Sequence, residues 1–144
     1  MEPEVFLAAL ERGDIDTASQ MLAENVVFRS PAVFEPYEGK AATIVLLKAV
    51  ARTFQNFHYT RTFLEEDGRG FAAVFEAKVG MKTVEGIDLL RLDAHGQVAD
   101  FRVMVRPHSA LEALMKAMVP AIERVLTDQR EAEAAGSDPL GRHS

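Results

Sequence analysis

The stretch VEGIDLLRLDAHGQVADFRVMVRP, residues 84–107, reads as two strands joined across Asp93-Ala94-His95-Gly96. Successive side chains on a strand point to opposite faces, so Asp88 shares its face with Val84, Gly86, Leu90 and Leu92. A lone carboxyl on such a face is a surface residue, half of an ion pair, or a working acid in a pocket. Register separates the three. With residues 93–96 as the loop, Leu92 pairs with Gln97 and Asp88 lies opposite Phe101, on a face continued by Ala99, Val103 and Val105. A loop of 94–96 flips the partner strand and sets Asp88 against Arg102, an ordinary cross-strand ion pair. The first register is preferred because it gathers the apolar residues on one face. It leaves Ile87, Leu89, Arg91, Asp100, Arg102, Met104 and Arg106 on the other, a surface for solvent or for a second subunit.

Working outward, four strands are expected near 57–66, 70–80, 82–93 and 97–106, with turn signals at Asp67-Gly68, Gly80 and His95-Gly96. In the second of these Phe71, Ala73, Phe75 and Ala77 alternate with Ala72, Val74, Glu76 and Lys78. Alanines beside phenylalanines leave hollows, which a ligand or side chains from the helices would fill. Gly86 leaves space beside the acid, or marks a bend or bulge.

Upstream, Pro3 opens a helix that runs to about Arg12 and stops at Gly13. Asp14 caps a second, short helix with Ile15, Ala18 and Leu22 on one face. Val26-Val27-Phe28 is a short strand ended by Ser30-Pro31, and a loop follows through Glu35-Pro36-Tyr37-Glu38-Gly39. Residues 40–54 form a third helix with Ile44, Leu47, Ala51 and Phe54 at helical spacing. A last helix begins near Pro107; Leu111, Leu114, Met115, Met118, Ile122, Val125 and Leu126 are its stripe, and Pro120 is expected to kink or break it.

Helices, then strands, then a helix give an α+β class, with one sheet face curled around the helices. Residues 1–128 are expected to form a single domain and 129–144 a flexible C-terminal tail. The chain of 144 residues carries a net charge of -6 without a basic patch, which argues against nucleic acid and anionic membranes. It has no cysteine, so disulfides and thiol chemistry are excluded, and the composition suits a cytoplasmic protein. The acidic start does not read as a signal peptide. No two histidines have metal-ligand spacing, and there is no phosphate loop or dinucleotide fingerprint, so no cofactor is expected.

The chain resembles the ketosteroid isomerase branch of the nuclear transport factor 2-like (SnoaL-like) superfamily over roughly residues 4–126. The resemblance rests on Gly13-Asp14-Ile15 after the first helix, on Ser30-Pro31, and on Glu35-Pro36-Tyr37-Glu38-Gly39 leading into a helix. It is closest at Ile87-Asp88-Leu89-Leu90-Arg91-Leu92-Asp93 with Gly96. It implies a cone: a curved antiparallel sheet closed by helices around an apolar cavity, usually dimeric. Ketosteroid isomerases use an aspartate base, a protonated aspartic acid and a tyrosine. By position these fall on Ser30, Asp88 and Phe6. A serine hydroxyl without an activating base does not remove a carbon-bound proton, and losing one oxyanion donor costs on the order of a hundredfold in rate. Steroid isomerisation by the usual route is therefore not expected. The carboxylate of related epoxide hydrolases and polyketide cyclases would fall at Val103, and the hydrolase arginine at Gly86, which undermines those chemistries too.

Tyr37 and Tyr59 are candidates to supply the phenol missing at Phe6, though a loop tyrosine such as Tyr37 more often has a wet hydroxyl. His58 reads as a solvated strand histidine, His95 in a turn and His143 in the tail as inert, and His108 as a helix cap or a solvated residue. The expected site is thus Asp88 as acid or hydrogen-bond donor, with Ser30, Tyr37 and Tyr59 auxiliary. Its expected walls are Phe6, Phe28, Phe71, Phe75, Gly86, Leu90, Phe101 and Val103. Two functions follow. One is an isomerase or lyase type of enzyme acting on a small hydrophobic molecule. The other is a dimeric ligand-binding or structural module that has lost the ancestral activity. A homodimer through Ile87, Leu89 and Met104 is expected in either case.

Overall fold

The computed structural model describes residues 3–136. Helix α1 spans Pro3–Glu11 and α2 Ile15–Ser19; β1 is Leu22–Arg29, β2 Tyr37–Glu38, and α3 Lys40–Thr53. Four long strands follow, β3 Gln55–Leu64, β4 Gly70–Val79, β5 Lys82–Leu92 and β6 Val98–Arg106, and then α4, His108–Gly136. The strands form one six-stranded sheet in the order β2-β1-β6-β5-β4-β3. β1 lies parallel to β6, and every other pairing is antiparallel.

The local reasons match the sequence. Asp14 accepts from the Thr17 amide at 3.1 Å and caps α2, while Gly13 and Gly39 supply positive φ at two helix boundaries. Leu22, expected on the face of α2, instead opens β1, because Gln20 already ends the helix. Tyr37 and Glu38, expected in a loop, pair with Phe28 and Val27 as a short edge strand. The last helix is unbroken through Pro120. Apolar anchors on either side, Leu114 and Val125, are both buried and hold the two halves in place against proline's unfavourable propensity. Residues 129–136, expected in the tail, continue this helix, and 137–144 lie outside the described residues, His143 with them.

The decisive hairpin has the expected faces from Phe101 onward but a different register, and at its loop end buried Val98, opposite Leu92, takes the inward place expected for Ala99. Asp88 lies opposite Val103 rather than Phe101, which instead faces Leu90, and Arg102 pairs with Leu89. Two features explain the difference. The loop holds one residue more, since Leu92 pairs with Val98, and a bulge at Ala99 adds another before Arg91 meets Asp100. Two single steps restore the parity, so Asp88, Phe101, Val103 and Val105 still share a face. Asp93 stabilises the loop by accepting from the amides of His95 at 2.8 Å and Gln97 at 3.0 Å.

Further register shifts in β3, between Gln55 and His58 and between Tyr59 and Arg61, bend the sheet at its other edge. The concave face carries the core. One cluster gathers Phe6, Leu10, Leu22, Val26, Phe28, Leu47, Phe71, Leu90 and Phe101 between α1, α3 and the sheet; a second joins Phe75, Val79 and Val84 to Ala110 and Leu114 of α4. Phe101 sits at the centre of the first, edge-on to Phe6 at 5.9 Å and to Phe28 at 5.2 Å.

Candidate functional site

Where the two clusters part, a cavity of about 530 Å³ remains on the concave side. Its floor is the sheet, at Phe28, Phe75, Phe101 and Val103, and its sides come from α3, α4 and the α1–α2 turn. Asp88 lies in this floor, 4% exposed, and with Thr43 it is one of the two buried polar or charged side chains among the described residues.

Tyr59 of β3 donates its hydroxyl to Asp88 Oδ2 at 2.7 Å. That is the hydrogen bond Asp88 receives from the described residues, and Oδ1, left without a protein donor, belongs to a side chain lining the cavity. The Tyr59 ring is fixed by contacts with Phe57 and Phe75, centroids 5.0 and 6.4 Å away. Ala73 separates the partners in the sheet, pairing with Asp88 on one side and Thr62 on the other. Its short side chain lets a ring from the strand beyond reach across.

The electrostatics follow from this burial. Desolvation disfavours the ionised carboxyl and pushes Asp88 up to about 7, against a smaller opposing effect of the Tyr59 hydrogen bond. Tyr59 is held well above the ordinary phenol value, first by burial and then by the neighbouring Asp88 charge. A carboxyl poised near neutrality serves either as a hydrogen-bond donor or as a proton acceptor at small cost. Its surroundings are otherwise oily, so a ligand oxygen brought to Oδ1 would meet a strong, poorly screened interaction.

The other expected site residues fall as follows. Ser30 and Tyr37 both line the cavity, at the side where β1 ends. The Ser30 oxygen accepts from the Ala32 amide at 2.9 Å, a turn contact that leaves it a weak polar group and no base. Tyr37 is partly exposed at this rim, as its edge-strand position requires. Phe28, Phe75, Phe101 and Val103 line the cavity. Four expected wall residues do not. Phe6, Phe71 and Leu90 are consumed by the first core cluster, where helix side chains fill the hollows. Gly86 is covered by the Phe75 ring: an added Cβ would collide with that ring and sit 2.6 Å from the Met104 carbonyl. The glycine therefore makes room for an aromatic side chain rather than for a ligand.

Sequence reasoning missed the part played by the helices. Leu111, Leu114, Met115, Met118, Val119 and Ile122 of α4 all border the cavity. Five of the six stand in the apolar stripe expected of this helix and Val119 does not; helical spacing marks a covered face without telling core from cavity. Among the described residues, no cluster of three His, Cys, Asp or Glu side chains is placed to hold a metal ion, and no helix is long and apolar enough to cross a membrane.

Comparison with known proteins fits this geometry. The family profile of the SnoaL-like domain matches residues 4–101, more than half of the chain, and the protein belongs to that family. Its structure is similar to a steroid delta-isomerase from Pseudomonas aeruginosa, with 36% identity, a TM-score of 0.79, and coverage of 83% of this chain and 88% of that one. It is also similar to a protein conserved in bacteria with a cystatin-like fold from Silicibacter pomeroyi, at 32% identity and a TM-score of 0.80, covering 92% of each chain. A nuclear transport factor 2-like protein from Cytophaga hutchinsonii shares the fold at 21% identity and a TM-score of 0.58, over 75% of this chain and 89% of that one. A search of curated proteins returns no match. The fold is thus the α+β nuclear transport factor 2-like, or cystatin-like, fold: a curved sheet wrapped around helices.

Proposed function

We propose that the cavity binds a small, largely apolar molecule by one oxygen, and that Asp88 is the acid that meets it, in chemistry of the isomerase or lyase type. The observation that carries this reading is the buried Asp88 carboxyl in a largely apolar cavity, with Tyr59 on Oδ2 and no hydrogen-bond donor among the described residues on Oδ1. Neutral Asp88 donates to a carbonyl or phenol oxygen; ionised, it takes a proton from a carbon or hydroxyl beside that oxygen. Tyr59 holds the carboxyl in place and offsets part of its desolvation. Similarity to a steroid delta-isomerase supports the isomerase type. Ser30, standing where that chemistry places its base, favours a second reading: a cavity that binds without turnover.

The test has two stages. Calorimetric titration with 4-ethylphenol should show binding that Asp88→Asn weakens about tenfold, consistent with a hydrogen bond to a strongly polar buried group. Absence of binding to the wild type would sink the reading. Deuterium exchange into cyclohexanone in heavy water then separates the two versions. Exchange above the buffer rate and lost in Asp88→Asn means proton transfer, whereas binding without exchange means the module.

The same reading includes a homodimer through the convex sheet face. There Val74, Ile87 and Met104 form a row across three strands, with Ala72 and Leu89 beside them and half-exposed Phe63 at the end. Such a stripe favours burial against a second copy. Light scattering at micromolar concentration should give twice the chain mass, and a monomer mass would remove the dimer.

A further inference from the structure

The family match ends at residue 101, yet one whole side of the cavity is supplied later in the chain, by α4. Its cavity-facing residues are of two kinds. Met118 and Ile122 are partly buried and pack on the core clusters. Met115 and Val119, one turn apart on the helix, line the same cavity but are 43% and 61% exposed. They therefore stand where the cavity opens to water. Pro31 and Ala32 also line the cavity, and Phe34, two residues further along that loop, is 97% exposed. Besides Asp88 and Tyr59 in the floor, the polar lining comes from Glu11, Arg12, Ser30, Tyr37 and Asn56, whereas the side formed by α4 is apolar throughout.

We propose that α4 is the specificity wall of this site. Its ligand is an amphiphile with one hydrogen-bonding oxygen at Asp88 and an apolar body long enough to emerge along Met115 and Val119. This rests on the reading that the cavity holds a ligand at Asp88, and it deepens that reading by naming the ligand's shape. Three features support it. At the deep end Asp88 Oδ1 has no hydrogen-bond donor among the described residues, so it takes a single polar group. Every side chain that α4 contributes to the lining is apolar, Leu111, Leu114, Met118 and Ile122 as well as Met115 and Val119, so an alkyl or polycyclic body laid along this helix loses water there. Methionines on the wall adapt to bodies of different outline, since an unbranched thioether repacks at little cost. An isolated apolar side chain at a surface is ordinary, but a pair of them continuing the lining of a cavity extends the binding surface.

The experiment compares 4-ethylphenol with 4-hexylphenol on the wild-type chain and on Met115→Glu and Val119→Glu, by calorimetric titration at pH 6. Both positions are exposed, and an unchanged thermal midpoint checks that each variant is folded. The longer phenol should bind the wild type at least about tenfold more tightly, the advantage of burying part of four extra methylenes. In each variant that advantage should shrink to within about twofold, because the chain then lies against a carboxylate. Equal affinities of the two phenols for the wild type would overturn the proposal while leaving the Asp88 site intact. An advantage that persists in both variants would overturn it as well, since the alkyl chain would then lie elsewhere. Failure of both phenols to bind the wild type would remove the underlying site and the proposal together.

Discussion

Two carboxyl groups near β5 have opposite fates. Asp88 projects from the concave face into an apolar cavity, meets one phenol, and is pushed up to about 7. Asp67, in the β3–β4 turn, meets Arg91, three residues further along the strand that carries Asp88 and on its other face. Oxygen and guanidinium nitrogen lie 2.7 Å apart, and Asp67 is held below the ordinary carboxylate value. The side chains are chemically identical, and what separates them is which face of β5 they meet. The outer pair is exposed and contributes little to stability. Among the described residues the inner group has no ion-pair partner, so its charge is costly and its proton is retained. Strand parity, set by the loop and the bulge at Ala99, is therefore the physical basis of the site.

The largest effect should come from removing the inner charge. Well below pH 3.8 Asp88 is neutral both folded and unfolded, and no penalty applies. As pH rises from 3.8 toward 7 the unfolded chain ionises while the folded one resists, so stability is progressively lost. The full loss is on the order of 4 kcal/mol for the span from 3.8 to about 7. Asp88→Asn should therefore be more stable than the wild type at pH 8 and nearly equal to it at pH 4, as measured by urea unfolding at both. A difference independent of pH would break the comparison. Next comes Tyr59→Phe, which removes the donor that stabilises the ionised acid. It should raise the Asp88 midpoint further and cost about 1 kcal/mol at pH 8, measurable in the same unfolding series. The smallest effect belongs to the outer pair. Asp67→Asn should lose a slight stabilisation that is present above about pH 4, disappears on acidification, and fades with salt. Asp67 also accepts from the Arg69 amide at 2.9 Å, a bond that the asparagine oxygen can keep, so a salt-insensitive loss in that variant would contradict the ion pair as its source.

The sequence made some of this site legible and hid the rest, for identifiable reasons. The face of Asp88 was readable because period-two alternation fixes it from its own strand. The register was misplaced by two, since neither a longer loop nor a bulge leaves a pattern in apolar residues. Tyr59 is legible as one of two candidate phenols, but its hydrogen bond to Asp88 is not: that contact depends on β3 lying beyond β4, on shifts in β3, and on the short side chain of Ala73 between them. Phe6, Phe71 and Leu90 were assigned to the cavity for the same reason. Alternation tells which face a residue occupies, and only the helices packed on that face decide whether the space before it is filled. Gly86 shows this most plainly, its gap being closed by Phe75 from the neighbouring strand. The wall from α4 lay in a stripe whose core and cavity residues share one spacing.

The most direct test is the titration of the Asp88 carboxyl carbon by NMR in the folded, ligand-free protein, assigned by comparison with Asp88→Asn. A midpoint close to 7 is the predicted result. A midpoint near 4, the value of a carboxyl in water, would contradict the account, because Asp88 would then be solvated and the cavity would have no acid to offer.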